Sequence, residues 1–273
     1  MWQVWWWAVG LAACSSSPAN VQDGSANPTI CDGSSDVRLA IQVGGGGPAA
    51  PGQAMLSENG WEFLLVDGSC VGWVLHGSGE PLVRTLLSAD DERQLGAALG
   101  LSTWSAIVPT TGGCADGPTS SYRFGEQRLT GSGCGGDMHS AWAELNAAFS
   151  AQLERLATLG QPWRGDLHYV VLPEQSQNDP RAAVPWPLDT ALSAVAIPED
   201  QLFNYHAGMS HRATGDDATK LRAIRTTSNM PSSDGLTHDF TRVTDAGAAN
   251  YQLYVRDALP FEQDNGLLPA SLF

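Results

Sequence analysis

Lysine is almost missing from this chain: of 14 basic residues in 273 only Lys220 is one, and 29 carboxylates bring the formal net charge to -15. Without a basic stripe nothing displaces counterions from phosphates, which excludes nucleic acid as a partner. The same shortage removes electrostatic attraction to anionic lipid. Long apolar runs are lacking as well; none approaches the roughly 20 residues that a helix needs to cross a hydrocarbon core. No Gly-x-Ser-x-Gly elbow, His-Glu-x-x-His pair or Walker loop occurs, so no signature of an activated serine, a catalytic zinc or a nucleotide phosphate is present. Cys-x-x-Cys is absent too, and with it the usual half of a structural zinc site. Neither a cofactor nor a metal is expected.

What is present begins at the first residue. Met1 to Gly10 carries no charged side chain, contains four tryptophans and runs into Leu11-Ala12-Ala13-Cys14, followed by Ser15-Ser16-Ser17-Pro18. An apolar stretch this short is a processed segment, not a stable span. Leucine, two small residues and a cysteine resemble the lipobox of bacterial lipoprotein signals, although the usual basic residues before the apolar run are missing. The resemblance implies a signal peptide over 1–13, cleavage before Cys14 and acylation of that cysteine by palmitate-type chains. Membrane lipid is then the first partner, and the expected address is the cell envelope, at the outer membrane. One acyl chain binds only marginally, whereas two or three hold firmly. Residues 14–30 read as a lipidated N-terminus and flexible tether, broken by Pro18 and Pro28, with a reach of roughly 20–25 Å.

Once Cys14 is set aside, Cys31, Cys70, Cys114 and Cys134 remain, an even number that suits an oxidising compartment. Three pairings are open. Cys31 with Cys70 and Cys114 with Cys134 is the most natural, because each pair flanks a segment that reads as two strands. A zinc site of Cys114, Cys134 and His139 competes weakly, its spacing being irregular.

From Asp36 the pattern turns periodic. Val37, Leu39, Ile41 and Val43 alternate with Arg38, Ala40 and Gln42, as in a strand with one wet face. Glu62–Val66 and Val71–Leu75 read as a hairpin about Asp67-Gly68, and Val83–Leu87 as a further strand. Ser88 with Asp91 opens a helix that should end at Leu99-Gly100. Tyr122–Phe124 and Gln127–Leu129 suggest a second hairpin. A longer helix is expected over Asp137–Leu159, where Met138, Trp142, Leu145, Phe149, Leu153 and Leu156 recur at spacings of three and four. Strands at Leu167–Leu172, Ala194–Ile197 and Tyr251–Arg256 and a helix at Asp216–Arg225 complete the reading. Strands first and helices later point to an α+β fold, an antiparallel sheet with helices packed on one face and disulfide support. Residues 31–273 form one globular domain, with a subdivision near 160–185.

Several local motifs have plain explanations. Gly131-x-Gly133-x-x-Gly136 has the form of a dinucleotide fingerprint, but no parallel strand and crossover follow it, and turn geometry accounts for the glycines. His206 and His211 lie near Asp216 and Asp217, yet the two carboxylates serve as helix-start charges. Arg164-Gly165-Asp166 is a turn. Trp61, Trp73 and Trp142 belong to apolar patterns and are expected in the core, which leaves Trp104, Trp163 and Trp186 as loop side chains for ligand contact.

Two longer passages, Cys31-Asp32-Gly33-Ser34 into the glycine run and Tyr251-Gln252-Leu253-Tyr254-Val255-Arg256-Asp257-Ala258-Leu259-Pro260-Phe261, resemble uncharacterised predicted lipoproteins of GC-rich Gram-negative bacteria. That resemblance brings no catalytic residues. It supports the address and leaves the activity open; with the signal and paired cysteines present and every nucleophile or metal motif missing, the expectation is a non-enzymatic tethered binding or assembly module facing an envelope protein or polysaccharide. The alternative is an envelope hydrolase using acidic residues, since paired carboxylates leave no sequence signature.

Overall fold

The computed structural model of the chain describes residues 28–44, 62–76, 81–109, 119–132, 140–174, 182–201, 209–225, 240–245, 249–263 and 268–272. Cys14, Met138, His139, Cys114, Cys134, Trp61 and His206 lie outside them, and so do Gly133 and Gly136.

The first sheet is built from β1 (Val37–Gly44), β2 (Glu62–Asp67), β3 (Val71–His76), β4 (Val83–Leu86), β5 (Thr119–Phe124), β6 (Gln127–Ser132) and β7 (Gln161–Pro162). It is antiparallel with the spatial order β6-β5-β1-β2-β3-β4-β7. Both hairpins form where the alternation and turn residues placed them. In the β2–β3 turn the Asp67 carboxylate accepts from Ser69 N, Ser69 Oγ and Val71 N at 2.7–2.9 Å. Cys70 closes that turn in the left-handed region, φ 66°, the place that glycine takes in most three-residue hairpin loops. Gly68 is required for a different reason: a Cβ there would run into Asp32 Oδ1 and Ser34 Oγ.

Two helices cover one face of this sheet. Helix α1 (Ala89–Ala98) starts in a capping box, with Ser88 Oγ accepting from Asp91 N and the Asp91 carboxylate accepting from Ser88 N. It ends as expected, Gly100 adopting a left-handed φ of 59°. Helix α2 (Ser140–Leu159) buries Trp142, Leu145, Phe149, Leu153 and Leu156 against Leu39, Ile41, Leu64, Val66, Val74 and Val83. Each such side chain contributes about 1.5–3 kcal/mol on burial, which docks the helix. Arg155 Nη1 reaches Asp91 Oδ1 at 2.7 Å and ties α2 to α1. The Ser88 hydroxyl, and after it Arg155, hold the Asp91 carboxyl below its usual value.

The wet face expected of β1 is not wet. Val37, Ala40, Phe63, Leu65 and Trp73 line the second face of the sheet and are covered by Leu259, Leu268 and Leu272, with Phe261 and Trp163 beside them. A register shift between Val37 and Leu39 puts these two residues on opposite faces. Simple alternation places them together, and the bulge separates them by advancing the face by one residue.

After Trp163 the chain enters a second sheet, of β8 (Leu167–Pro173), β9 (Val184–Pro185), β10 (His211–Ala213), β11 (Thr241–Thr244) and β12 (Asn250–Asp257), ordered β10-β8-β12-β11-β9. It is antiparallel except for the short β9–β11 pair. Leu167, Tyr169 and Val171 pack toward α3 (Leu192–Val195) and α4 (Gly215–Ile224) through Leu192, Val195, Ala218 and Leu221. The strand expected at Ala194–Ile197 is instead this one-turn helix followed by a single parallel bridge from Ala196 to Val171. Leu192 and Val195 are three residues apart and both buried, so the helical spacing wins over β-propensity. The architecture is α+β, as the element order implied, but with two sheets where one was expected.

Candidate functional site

Two groupings of chemically capable side chains stand out among the described residues. The first lies where the expected tether meets the globule. Cys31 and Cys70 are joined in a disulfide with Cα atoms 5.1 Å apart. Glu92 Oε1 accepts from Ile30 N and Cys31 N at 2.8 and 2.9 Å, and Ile30 is fully buried in the core against α1 and α2. Gly33 N donates to Gly68 O at 2.6 Å, and Asp32 pairs with Arg38 at 3.2 Å. The Ser34 hydroxyl and amide, with Arg38 adding to them, keep the Asp32 carboxyl below its ordinary value. Ile30, Cys31 and Gly33 are thus fastened to the β2–β3 turn and to the first turn of α1. Disulfides form and persist in oxidising compartments, and this one marks an exported, non-cytoplasmic chain. No helix among the described residues is long and apolar enough to cross a membrane.

The second grouping sits at the seam between the sheets. His168 on β8 is completely buried and lies opposite Arg256 of β12. Glu262, on the segment that covers the first sheet, accepts from Arg256 Nη1 at 2.6 Å and from Leu259 N at 2.8 Å, and its Oε2 is 3.5 Å from His168 Nε2. Ser210 Oγ lies 3.4 Å from His168 Nδ1. A hydroxyl, an imidazole and a carboxylate in a row can relay a proton. Here the Ser210 contact falls at the long end of hydrogen bonding, the 3.5 Å between His168 Nε2 and Glu262 Oε2 is an ion-pair distance and not a hydrogen bond, and the imidazole is shut away from water. The row is therefore first a latch: Glu262 holds the C-terminal segment to the second sheet while Phe261 beside it meets Trp73 of the first, ring centroids 5.0 Å apart.

A shallow concavity of about 270 Å³ is lined by Val74, His76, Pro81, Val83, Ala157, Gly160 and Pro162. No carboxylate lines it, so it is not a cleft between paired acids.

The side chains singled out from sequence are distributed as follows. Cys31 and Cys70 come together; Cys114 and Cys134 are outside the described residues, as is the Cys114, Cys134 and His139 alternative. His211 Nε2 lies 3.0 Å from Val195 O, and its ring packs at a tilt against Tyr169, while Asp217 in the first turn of α4 pairs with Lys220 three residues on. Arg164-Gly165-Asp166 forms no turn, contrary to expectation, but irregular chain leading into β8, where Asp166 binds Arg212 and Gly165 O accepts from Arg222. Trp104 is not a loop side chain for ligand contact: it lies within the 3-10 turn Leu101–Ala106, is fully buried, and donates Nε1 to Leu99 O at 2.8 Å. It packs edge-on against Tyr122, filling the core at the end of α1. Trp163 donates to Ala258 O and Trp186 to Thr190 O. Trp73 and Trp142 are buried as expected.

Sequence reasoning missed the His168 and Glu262 pair. One signal was available: His168 interrupts the otherwise apolar run Leu167–Leu172, and a histidine in a strand buried on both faces needs a partner.

Comparison with known proteins returns nothing: no protein family, curated protein or solved structure matches this chain. Any role for these groups therefore rests on their own chemistry.

Proposed function

We propose that the chain is an exported lipoprotein anchored through acyl chains on Cys14, and that its globule is a non-enzymatic binding or assembly module of the cell envelope. The observation that carries the reading is the Cys31–Cys70 disulfide beside the buried Ile30. Structured chain is fastened within 20 residues of the Leu-Ala-Ala-Cys sequence, so the segment between has only a tether's length, with a reach of roughly 20–25 Å. At the outer membrane the module would meet partners, protein or polysaccharide, close to the lipid surface.

The test is metabolic labelling with a palmitate analogue, followed by membrane fractionation. Wild-type protein should take up label and sediment with the outer membrane, and Cys14→Ala should lose the label and become extractable without detergent. Unlabelled wild-type protein of unprocessed mass would refute the anchor.

A second reading departs from the hydrolase using paired acidic residues expected above: the Ser210, His168 and Glu262 row would instead activate a serine. A fluorophosphonate probe that labels Ser210 in the wild type but not in His168→Ala would turn the assignment toward it.

A further inference from the structure

Among the described residues, Cys31, Cys70 and Glu92 are the single set of three cysteine, histidine or carboxylate side chains close enough to share an ion. One ligand atom from each lies within 4.8 Å of the other two, and all three residues are half-buried. We propose that these residues are a redox-gated site for a thiophilic divalent cation, closed while the disulfide is intact and opened by its reduction.

The geometry is near what a zinc-like ion needs. With Zn–S near 2.3 Å and Zn–O near 2.0–2.2 Å, tetrahedral coordination sets ligand atoms roughly 3.6–3.8 Å apart. Reduction frees the two sulfurs to part to that separation, and each already lies within 4.8 Å of a Glu92 oxygen. Thiol rotation and a small carboxylate shift cover that difference. Glu92 is held for the purpose: the amides of Ile30 and Cys31 fix its Oε1, the kind of outer-shell support that orients a metal ligand. A carboxylate has about four lone-pair sites, so two remain after those bonds. The fourth coordination position falls to water. Two sulfurs and one oxygen favour zinc and its softer neighbours over calcium or magnesium.

The opening step is thiol–disulfide exchange. A thiolate of a dithiol reductant attacks one sulfur of the Cys31–Cys70 bond, the other sulfur leaves and takes a proton, and the reductant's second thiolate resolves the mixed disulfide. Two electrons pass to the protein, the dithiol becomes its own disulfide, and two thiols remain. Binding of M²⁺ then releases two protons, since the ligands are thiolates. The bound set carries two thiolates and one carboxylate against the dication, a net single negative charge.

The experiment uses the full chain carrying Cys14→Ala, Cys114→Ser and Cys134→Ser, reduced with a phosphine, desalted without oxygen and titrated with Co²⁺. One cobalt per chain, with thiolate-to-metal charge transfer and the visible bands of a tetrahedral ion, is expected for the reduced protein and not for the oxidised one. Glu92→Gln keeps an oxygen for the Ile30 and Cys31 amides yet should weaken binding at least about tenfold, since loss of outer-shell support alone costs 10–100-fold. Equal affinity in Glu92→Gln, equal binding by oxidised protein, or reduced protein that takes up no cobalt would each overturn the proposal. If the serine background does not fold, native mass spectrometry of the Cys14→Ala chain, with Cys31→Ser as its control, decides the same question. One Co²⁺ lost in that control supports the site, and stoichiometry unchanged by it refutes the site.

Discussion

Removing the Glu262 carboxylate tests whether the two sheets are latched as described. Its side chain is 1% exposed and meets the Arg256 guanidinium at 2.6 Å, with the Leu259 amide and His168 alongside. Glu262→Ala takes an acceptor from a buried N–H and a counter-charge from an arginine only 19% exposed; breaking a buried pair in this way costs about 3–5 kcal/mol. Glu262→Gln keeps an acceptor for Leu259 N and should cost about 1.5–3 kcal/mol, the range for hydrogen bonds to charged groups. Combining it with Arg256→Met should cost less than the two single changes added, with a coupling of about 0.5–3 kcal/mol. Urea unfolding at constant m gives each value from the midpoint. Hydrogen exchange supplies the local readout: the Glu262 amide, bonded to Leu259 O at 3.1 Å, should lose protection before the α2 amides do. A cost for Glu262→Ala below about 1 kcal/mol, or strict additivity in the cycle, would refute the latch, because buried partners couple.

Other measurements follow from the same structure. Replacing Cys31 and Cys70 by serine releases a cross-link spanning 39 residues, worth about 4 kcal/mol in chain entropy, and a calorimetric loss under about 1 kcal/mol would contradict that account. Ser88→Ala should cost about 1 kcal/mol through the lost cap and flatten the acid limb: the lowered Asp91 pKa means stability present above 3.8 and lost as pH falls through the folded value. Burial, and then the charge of Glu62, push the Tyr122 hydroxyl well above its ordinary 10.0. Its contribution is therefore complete below pH 10 and lost above it; Tyr122→Phe should shrink the alkaline step in a pH-dependent unfolding series, leaving the part due to Tyr169, which burial also raises, while losing the bond to Asn146 Oδ1. Trp104→Ala should cost about 3–5 kcal/mol as a core truncation, whereas an exposed contact residue would cost almost nothing.

Elements whose rules are local could be read directly. The capping box at Ser88, the end at Gly100, the stripe from Trp142 to Leu156, the Asp67-Gly68 turn and the hairpin of Tyr122–Phe124 with Gln127–Leu129 each depend on neighbours within four residues or so, and each is where it was expected. Elements that owe their existence to a distant strand escaped: β9 and β10 have two and three residues and form only because β11 and β8 lie beside them. Trp104 was misplaced because its turn has no periodicity, although the chain beyond α1 folds it back into the core.

The sequence by itself determined the acidic charge balance, the cleavable-looking Leu11–Cys14 segment, the α+β order and the limits of α1, because composition and short-range periodicity carry those properties. Tertiary structure alone decided that Val37 turns away from Leu39, that the C-terminal segment roofs the second face of the first sheet, and that His168 meets Glu262. The first depends on pairing across about 30 positions of chain and the other two on neighbours 90 or more positions apart, and no local pattern encodes that.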